Sequence, residues 1–454
     1  MSAVAVALAV VCLLVLITGL ARLAGSDAWV VLAAHNGPWA VALLVWASGV
    51  IRYSPAAVTA MLILAGGVLA FNLGVLLNQP SRPRPTPDVR AWPTITMRAY
   101  CLLWVGYALG LGWLLLTISR YFGLVTLFTS PQTIRTYSDV RYLEAFPLPG
   151  KLLFYLGPLL MALTANPGFV SRLAGKPKVL LAALYLVLVI SQFASLQRTN
   201  IFVGIAWSVA VLLFSRARAA AERTRTGRTS RVGRPRKGLA AAAAVVAAVI
   251  IFQILGSALG KDATSDPRFT PYLSSRISQG PAATMLVYGS SGVAGFLTLT
   301  QSENHAWPSN SQPPVFGDYN PVTHGAATFA IVPKFLPLYR PWPEVGPFIS
   351  VPFPTNVYTW LDPWYRDFRA PGVLLITFLV GFWATSIVRR RDGSPRGSLL
   401  AGLVLMALIW APFTNRLFST MTIELWLVVY LITRVRFAPS TAESELAESV
   451  LASR

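Results

Sequence analysis

Long apolar runs separated by short polar connectors recur along this chain. They cover residues 3–23, 29–51, 56–77, 99–119, 152–167, 179–193, 201–214 and 239–259, and then 373–388, 399–410 and 417–433. A helix needs about 20 apolar residues to cross the ~30 Å hydrocarbon core of a bilayer. The pattern predicts an all-α polytopic membrane protein with about eleven transmembrane helices. The second run is interrupted at His35-Asn36-Gly37-Pro38. The first run has no basic segment ahead of it, so it reads as a retained helix rather than a cleaved leader.

The runs divide the chain into four parts. Residues 1–259 hold eight spans, with a Pro-rich connector at 79–88 and an Arg-rich one at 215–238. Residues 260–371 form one large, partly helical extracytoplasmic loop region; its density of proline and aromatic residues suits an ordered cap. Residues 372–436 hold the last three spans, and 437–454 are a short cytoplasmic tail. A further apolar run, 282–299, is interrupted by Gly289-Ser290-Ser291-Gly292. Counting it as a full span would put the Arg389, Arg390 and Arg391 cluster on the outer side. It is therefore expected to be a short, re-entrant or interfacial helix.

Composition agrees with the pattern. Of the 454 residues, 55% are hydrophobic and 12% charged, against about 25% charged in a soluble domain. Mean hydropathy is +0.58. The net charge of +21 would suggest nucleic acid in a soluble protein, but here the basic residues cluster in connectors. With 215–238 placed in the cytoplasm, the alternating spans bring Arg82, Arg84 and Arg90 to the same side. So too come Arg172, Lys176 and Lys178, then Arg389 to Arg391 with Arg396, then Arg434 and Arg436. This is the positive-inside pattern, with the N-terminus outside and the C-terminus inside, and no nucleic-acid partner is expected. Cys12 and Cys101 both lie in apolar runs, which argues against a disulfide framework. His35, His305 and His324 lack metal-ligand spacing, and no metal or other cofactor is expected.

The arginines that disobey this topology are the candidate functional residues. Arg120, Arg135, Arg141, Arg198, Arg268, Arg276, Arg340, Arg366, Arg369 and Arg416 fall on the outer side or at its membrane face. An unpaired guanidinium close to lipid is costly, so each needs an anion. Local carboxylates such as Asp139, Glu144, Asp367 and Glu424 would satisfy some; a phosphate-bearing ligand would satisfy others, since the planar fork suits phosphate. Glu424 lies within the last span, where it is either functional or bonded to a neighbouring helix. No Gly-rich nucleotide loop and no Ser-His-Asp order is present, which argues against an ATP-driven machine.

One stretch concentrates these features: Asn356 to Gly372, N-V-Y-T-W-L-D-P-W-Y-R-D-F-R-A-P-G, just ahead of the span at 373–388. Tyr358, Trp360, Trp364 and Tyr365 suit an interfacial belt, while Arg366, Asp367 and Arg369 are harder to assign to anchoring. Here the chain resembles the Wzy-type O-antigen polymerases, a family of oligosaccharide repeat-unit polymerases. The family signature of Asn, aromatic and Thr, then Tyr-x-Asp-Phe-Gly-x-x-Gly, is matched by Asn356, Tyr358, Thr359, Tyr365, Asp367, Phe368 and Gly372. The first signature Gly is Arg369 here, which means either a different turn or an added phosphate contact. Arg198 is similar to the family's Arg at the junction of two middle spans, and Tyr272 with Arg276 resembles its basic outer loop more loosely.

The resemblance implies a metal-independent glycosyltransferase in the cytoplasmic (inner) membrane, with its active site on the extracytoplasmic side. Its substrate would be a polyprenyl-diphosphate-linked oligosaccharide, and a chain-length regulator would be a partner beside the lipid bilayer. Asp367 is the candidate base, with His324 and Asp318 as alternatives, and Arg198 and Arg276 join Asp367 and His324 as the catalytic set. Arg366, Arg369, Asn356, Tyr358, Thr359, Tyr365, Tyr272 and Arg416 would bind substrate. A ligase of the O-antigen type would share the arginines and the outer loop. A flippase would favour internal repeats and deep charges, and no clear repeat is present.

Overall fold

A computed structural model describes residues 2–26, 28–78, 95–131, 133–134, 146–173, 175–225, 269–274, 283–301, 327–329, 349–389 and 394–434. The expected span at 239–259, the Pro-rich connector at 79–88, the tail at 437–454 and most of 260–371 lie outside the described residues.

The described chain is helical apart from one small hairpin, Ile349–Ser350 paired antiparallel with Pro354–Thr355. In order the helices are α1 Ala3–Leu23, α2 Ala28–Ala47, α3 Val58–Leu77, α4 Met97–Tyr121 and α5 Leu124–Thr129. Then come α6 Leu148–Phe154, α7 Leu156–Ala165, α8 Lys178–Gln192 and α9 Arg198–Arg225. The last four are α10 Ala283–Gln301, α11 Asp362–Arg389, α12 Pro395–Ile409 and α13 Thr420–Arg434. Among the described residues, eight helical stretches are long and apolar enough to cross a membrane, with α6 and α7 together making one of them. The architecture is that of a polytopic membrane protein.

Local chemistry sets several helix starts. Ser2, Thr96 and Ser394 cap α1, α4 and α12 by accepting the N–H of Ala5, Ala99 and Gly397 at 3.2, 3.2 and 3.0 Å. Two expectations change. The helix α2 runs through Pro38 without a break. Within the same stretch the Asn36 side chain bonds across to α1 and α3. The run at 282–299 forms the 19-residue α10, which continues through Gly289-Ser290-Ser291-Gly292 and is longer than the short helix expected.

Two apolar cores result. One joins α1, α2, α3, α10, the hairpin, the loop 356–361 and α11. The other joins α4, α6, α7, α8, α9 and α13. The helix α12 serves both, turning Ala401, Val404 and Leu408 to the first core and Leu399, Leu403 and Met406 to the second. Trp207 of α9 fastens this seam by donating its indole N–H to the Leu399 carbonyl at 2.9 Å. Large apolar side chains remain exposed in stripes, as with Leu102, Leu109 and Leu116 of α4. Their seven-residue spacing gives one face of the helix, which suits contact with acyl chains.

The seam between α3 and α11 positions the site. A Cβ on Gly74 would run into the Phe378 carbonyl, and one on Gly381 into that of Phe71. Only glycine permits this backbone approach, the usual basis of tight packing between membrane helices. Val373 lies against Gly67, Phe378 against Gly74, and Asn78 donates to the Phe382 carbonyl. Both sequences advance together, so the two helices are parallel and the Leu77 and Arg389 ends share one side.

Candidate functional site

The loop 356–361 is held by its own short-range bonds. Thr359 Oγ1 accepts the Leu361 N–H at 3.2 Å, and its carbonyl accepts the Asp362 N–H at 3.2 Å, turning the chain into α11. Trp360 donates its backbone N–H to the Ala411 carbonyl at 2.8 Å, tying the loop to the end of α12. Thr359 therefore sets the turn and is buried. Asn356 is half-buried and makes no side-chain hydrogen bond among the described residues.

The first two turns of α11 carry the charges inward. Arg366 is 4% exposed, and its Nε lies 2.8 Å from Oδ1 of Asp362, one turn earlier. The contact is a buried ion pair between residues one helical turn apart. The same guanidinium stands 5.3 Å from the Tyr358 ring centre, within cation–π range. Burial pushes the Tyr358 phenol above its ordinary pKa, with the Arg366 charge pulling it back. The phenol is thus neutral and keeps its proton as a donor. Asp362 is the member of this group that the sequence reading passed over. Its signal was the i, i+4 spacing to Arg366.

Asp367 is 2% exposed, and both carboxylate oxygens are engaged by backbone. Oδ1 accepts the Ala327 N–H at 3.2 Å and Oδ2 the Thr328 N–H at 2.6 Å. Each such charge-assisted bond is worth roughly 1.5–3 kcal/mol. Asp367 therefore anchors the turn 327–329 to α11, which limits its freedom to accept a proton from a ligand.

Arg369 breaks the helix. Its backbone stands at φ 58°, ψ −155° inside an otherwise helical run. This region is nearly exclusive to glycine, and a side chain there costs on the order of 1–3 kcal/mol. Pro371 ends the first segment by disfavouring helix at the residue before it. Gly372 lets the chain fold back, since a Cβ there would strike Phe368 and come within 3.0 Å of the Trp364 carbonyl. Arg369 thus occupies a backbone conformation that glycine adopts without strain. The Arg369 guanidinium stacks over Tyr365, 5.5 Å from its ring centre.

The remaining candidates lie around this centre. Arg416 is in the turn between α12 and α13, two residues before Phe418, whose ring meets Trp364 edge-on at 6.5 Å. Tyr272 stands 6.1 Å from Phe353 of the hairpin that leads into Asn356, and its carbonyl accepts the Arg52 N–H at 2.9 Å. Arg198 opens α9, but its guanidinium lies outside what the structure describes. Arg276, His324 and Asp318 also lie outside the described residues. Glu424 is half-buried on α13, and its Oε2 is buried without a hydrogen-bond partner among the described residues. Among the described residues, no three His, Cys, Asp or Glu side chains converge as metal ligands would.

The structure thus brings Tyr358, Thr359, Tyr365, Arg366, Asp367 and Arg369 together at one loop-to-helix junction, with Asp362 added. Comparison with protein-family models, with curated proteins and with solved structures finds no match for this chain.

Proposed function

We propose that this chain is a membrane glycosyltransferase that polymerises polyprenyl-diphosphate-linked oligosaccharide repeat units into a cell-surface polysaccharide. It would work at the outer face of the cytoplasmic membrane. The observation that carries this reading is the pair Arg366 and Arg369, two guanidiniums three residues apart at a strained joint of a membrane helix. One is buried beside its own carboxylate, and the other occupies a backbone position that disfavours any side chain. Strain of this kind gathers at ligand sites, where the surrounding fold compensates for it.

The chemistry follows from charge. In glycosyl transfer from a lipid diphosphate, the bond between the anomeric carbon and the phosphate oxygen breaks. Its electron pair goes to the diphosphate, the acceptor hydroxyl oxygen forms the new bond to the anomeric carbon, and its proton passes to the departing diphosphate. Fixed guanidiniums stabilise the charge that grows on the leaving group, without reorganisation during the step. Asp362 and Tyr358 set the direction of Arg366, and Asp367 keeps the turn 327–329 against the same helix.

The test uses the purified full-length protein with a polyprenyl-diphosphate-linked oligosaccharide. A ladder of extended glycans on a gel is expected, and it should be lost in Arg366→Lys because the bidentate fork is lost. Transfer of a single unit to another acceptor would instead identify a ligase. Movement of the intact lipid across the bilayer without transfer would identify a flippase.

A further inference from the structure

Beside the loop 356–361 lies a buried polar assembly that the site above leaves unused. Asn72 of α3 donates Nδ2 to the Val68 carbonyl at 2.8 Å. A carbonyl only accepts, so the orientation of this amide is set, and its Oδ1 faces Asn36. Asn36 donates Nδ2 to that Oδ1 at 2.7 Å and to Thr18 Oγ1 at 2.9 Å. Thr18 in turn donates to the Leu14 carbonyl at 2.7 Å. The Asn36 Oδ1 is left to accept from Asn72 Nδ2 at 3.0 Å and from His35 Nδ1 at 2.8 Å. An amide oxygen has no proton to give, so His35 carries its own on Nδ1.

The other ring nitrogen is then decisive. His35 is 0% exposed, and its Nε2 has no hydrogen-bond partner among the described residues. A charged imidazole in this apolar enclosure would lack a counter-ion, so the ring is neutral and Nε2 presents a lone pair. Its ring stacks on Phe71 at 3.9 Å and has Trp360 at 5.3 Å and Trp39 at 6.2 Å. Both indole N–H groups are buried and also without a partner among the described residues. An aromatic face accepts an N–H weakly, but it cannot donate to a lone pair. Nε2 needs a donor, and the indoles need an acceptor.

The geometry points to a hydroxyl-binding site at His35 Nε2, walled by Trp39 and Trp360. One O–H group meets both demands, donating to Nε2 while its oxygen accepts an indole N–H. A phosphate or carboxylate oxygen has no proton for Nε2 and would be repelled by it. An ammonium would find no anion. Water and a sugar hydroxyl share the required chemistry. That the hydroxyl is a sugar's rests on the glycosyl-transfer reading; that a hydroxyl is bound does not.

The test is nitrogen NMR of the full-length protein in lipid nanodiscs, with ¹⁵N in its three histidines, His35, His305 and His324. The loss of signals in His35→Gln assigns them. A His305→Gln, His324→Gln double variant, which leaves His35 untouched, assigns them independently. The expected result is a neutral ring with its proton on Nδ1 and an Nε2 signal displaced by hydrogen bonding. A cross-peak to exchanging water identifies water as the source. A cross-peak to the hydroxyls of added octyl glucoside identifies a sugar, and either supports the site. A proton on Nε2, or an Nε2 signal at the position of a free lone pair, overturns it. The result does not depend on chain extension, so failure of the polymerase reading would be seen separately on the gel.

Discussion

The Asp367 carboxylate accepts the backbone N–H of Thr328 at 2.6 Å, across 39 positions of sequence. Adding the Ala327 N–H, both oxygens face the same turn. Asp367→Asn would replace one acceptor by an NH2 group facing an N–H. Thermal unfolding in detergent should show a loss of about 1–3 kcal/mol, with activity falling in step. If melting were unchanged while turnover fell roughly 10²–10⁴-fold, Asp367 would be a proton acceptor rather than an anchor.

The ion pair of Asp362 and Arg366 gives a second expectation. Breaking a buried pair from one side leaves an uncompensated charge and costs about 3–5 kcal/mol. Asp362→Asn should destabilise on that scale. The double variant Asp362→Leu, Arg366→Met should melt closer to wild type, since apolar replacements of a buried pair are often neutral. It should still fail to extend glycans. An active double variant would remove Arg366 from the mechanism.

Arg369 gives a third. Arg369→Gly relieves a backbone conformation costing on the order of 1–3 kcal/mol, so the variant should melt higher. Arg369→Val should melt lower, because a branched Cβ suits that region least. If the guanidinium serves a ligand, the Gly variant is more stable and less active. Equal activity in Arg369→Gly would mark the side chain as dispensable.

Sidedness can be checked with cysteine labelling. Because α3 and α11 are parallel, Ala57 and Ser394 should lie on opposite faces of the membrane. In a background with Cys12 and Cys101 replaced by Ser, Ala57→Cys should react with an impermeant reagent in intact spheroplasts. Ser394→Cys should react only after lysis. Reversed labelling would invert the orientation read from the basic connectors.

The apolar runs located most helices well, because burial against lipid or core needs little beyond hydrophobicity. The run at 3–23 coincides with α1, and 179–193 lies within one residue of α8. The pattern failed where polar groups are satisfied by one another. Residues 362–372 read as a charged loop, yet they open α11, because Arg366 pairs with Asp362 and Asp367 takes two backbone N–H groups. His35-Asn36-Gly37-Pro38 read as a break, yet α2 continues through it, with the polar Asn36 matched by partners on α1 and α3. Composition cannot show such pairings, since each partner comes from another turn or another helix. The Asn356 to Gly372 stretch did stand out, because its density of rings and charges is unusual whatever it packs against.

The glycine seam between α3 and α11 also bears on the order of synthesis. Asn78 and Phe382 meet across 304 positions. At ~5–20 residues per second the ribosome needs roughly 15–60 s to supply the second helix after the first. Throughout that interval α3 must sit in the bilayer with Gly66, Gly67 and Gly74 facing lipid, while its Asn72 is already matched by Asn36 of the preceding helix. The early helices can therefore rest as a trio with their amides satisfied, holding open a slot that only the late-made helix fits. A nascent chain halted before Asp362 would keep that slot bare, exposed to wrong neighbours and to membrane quality control.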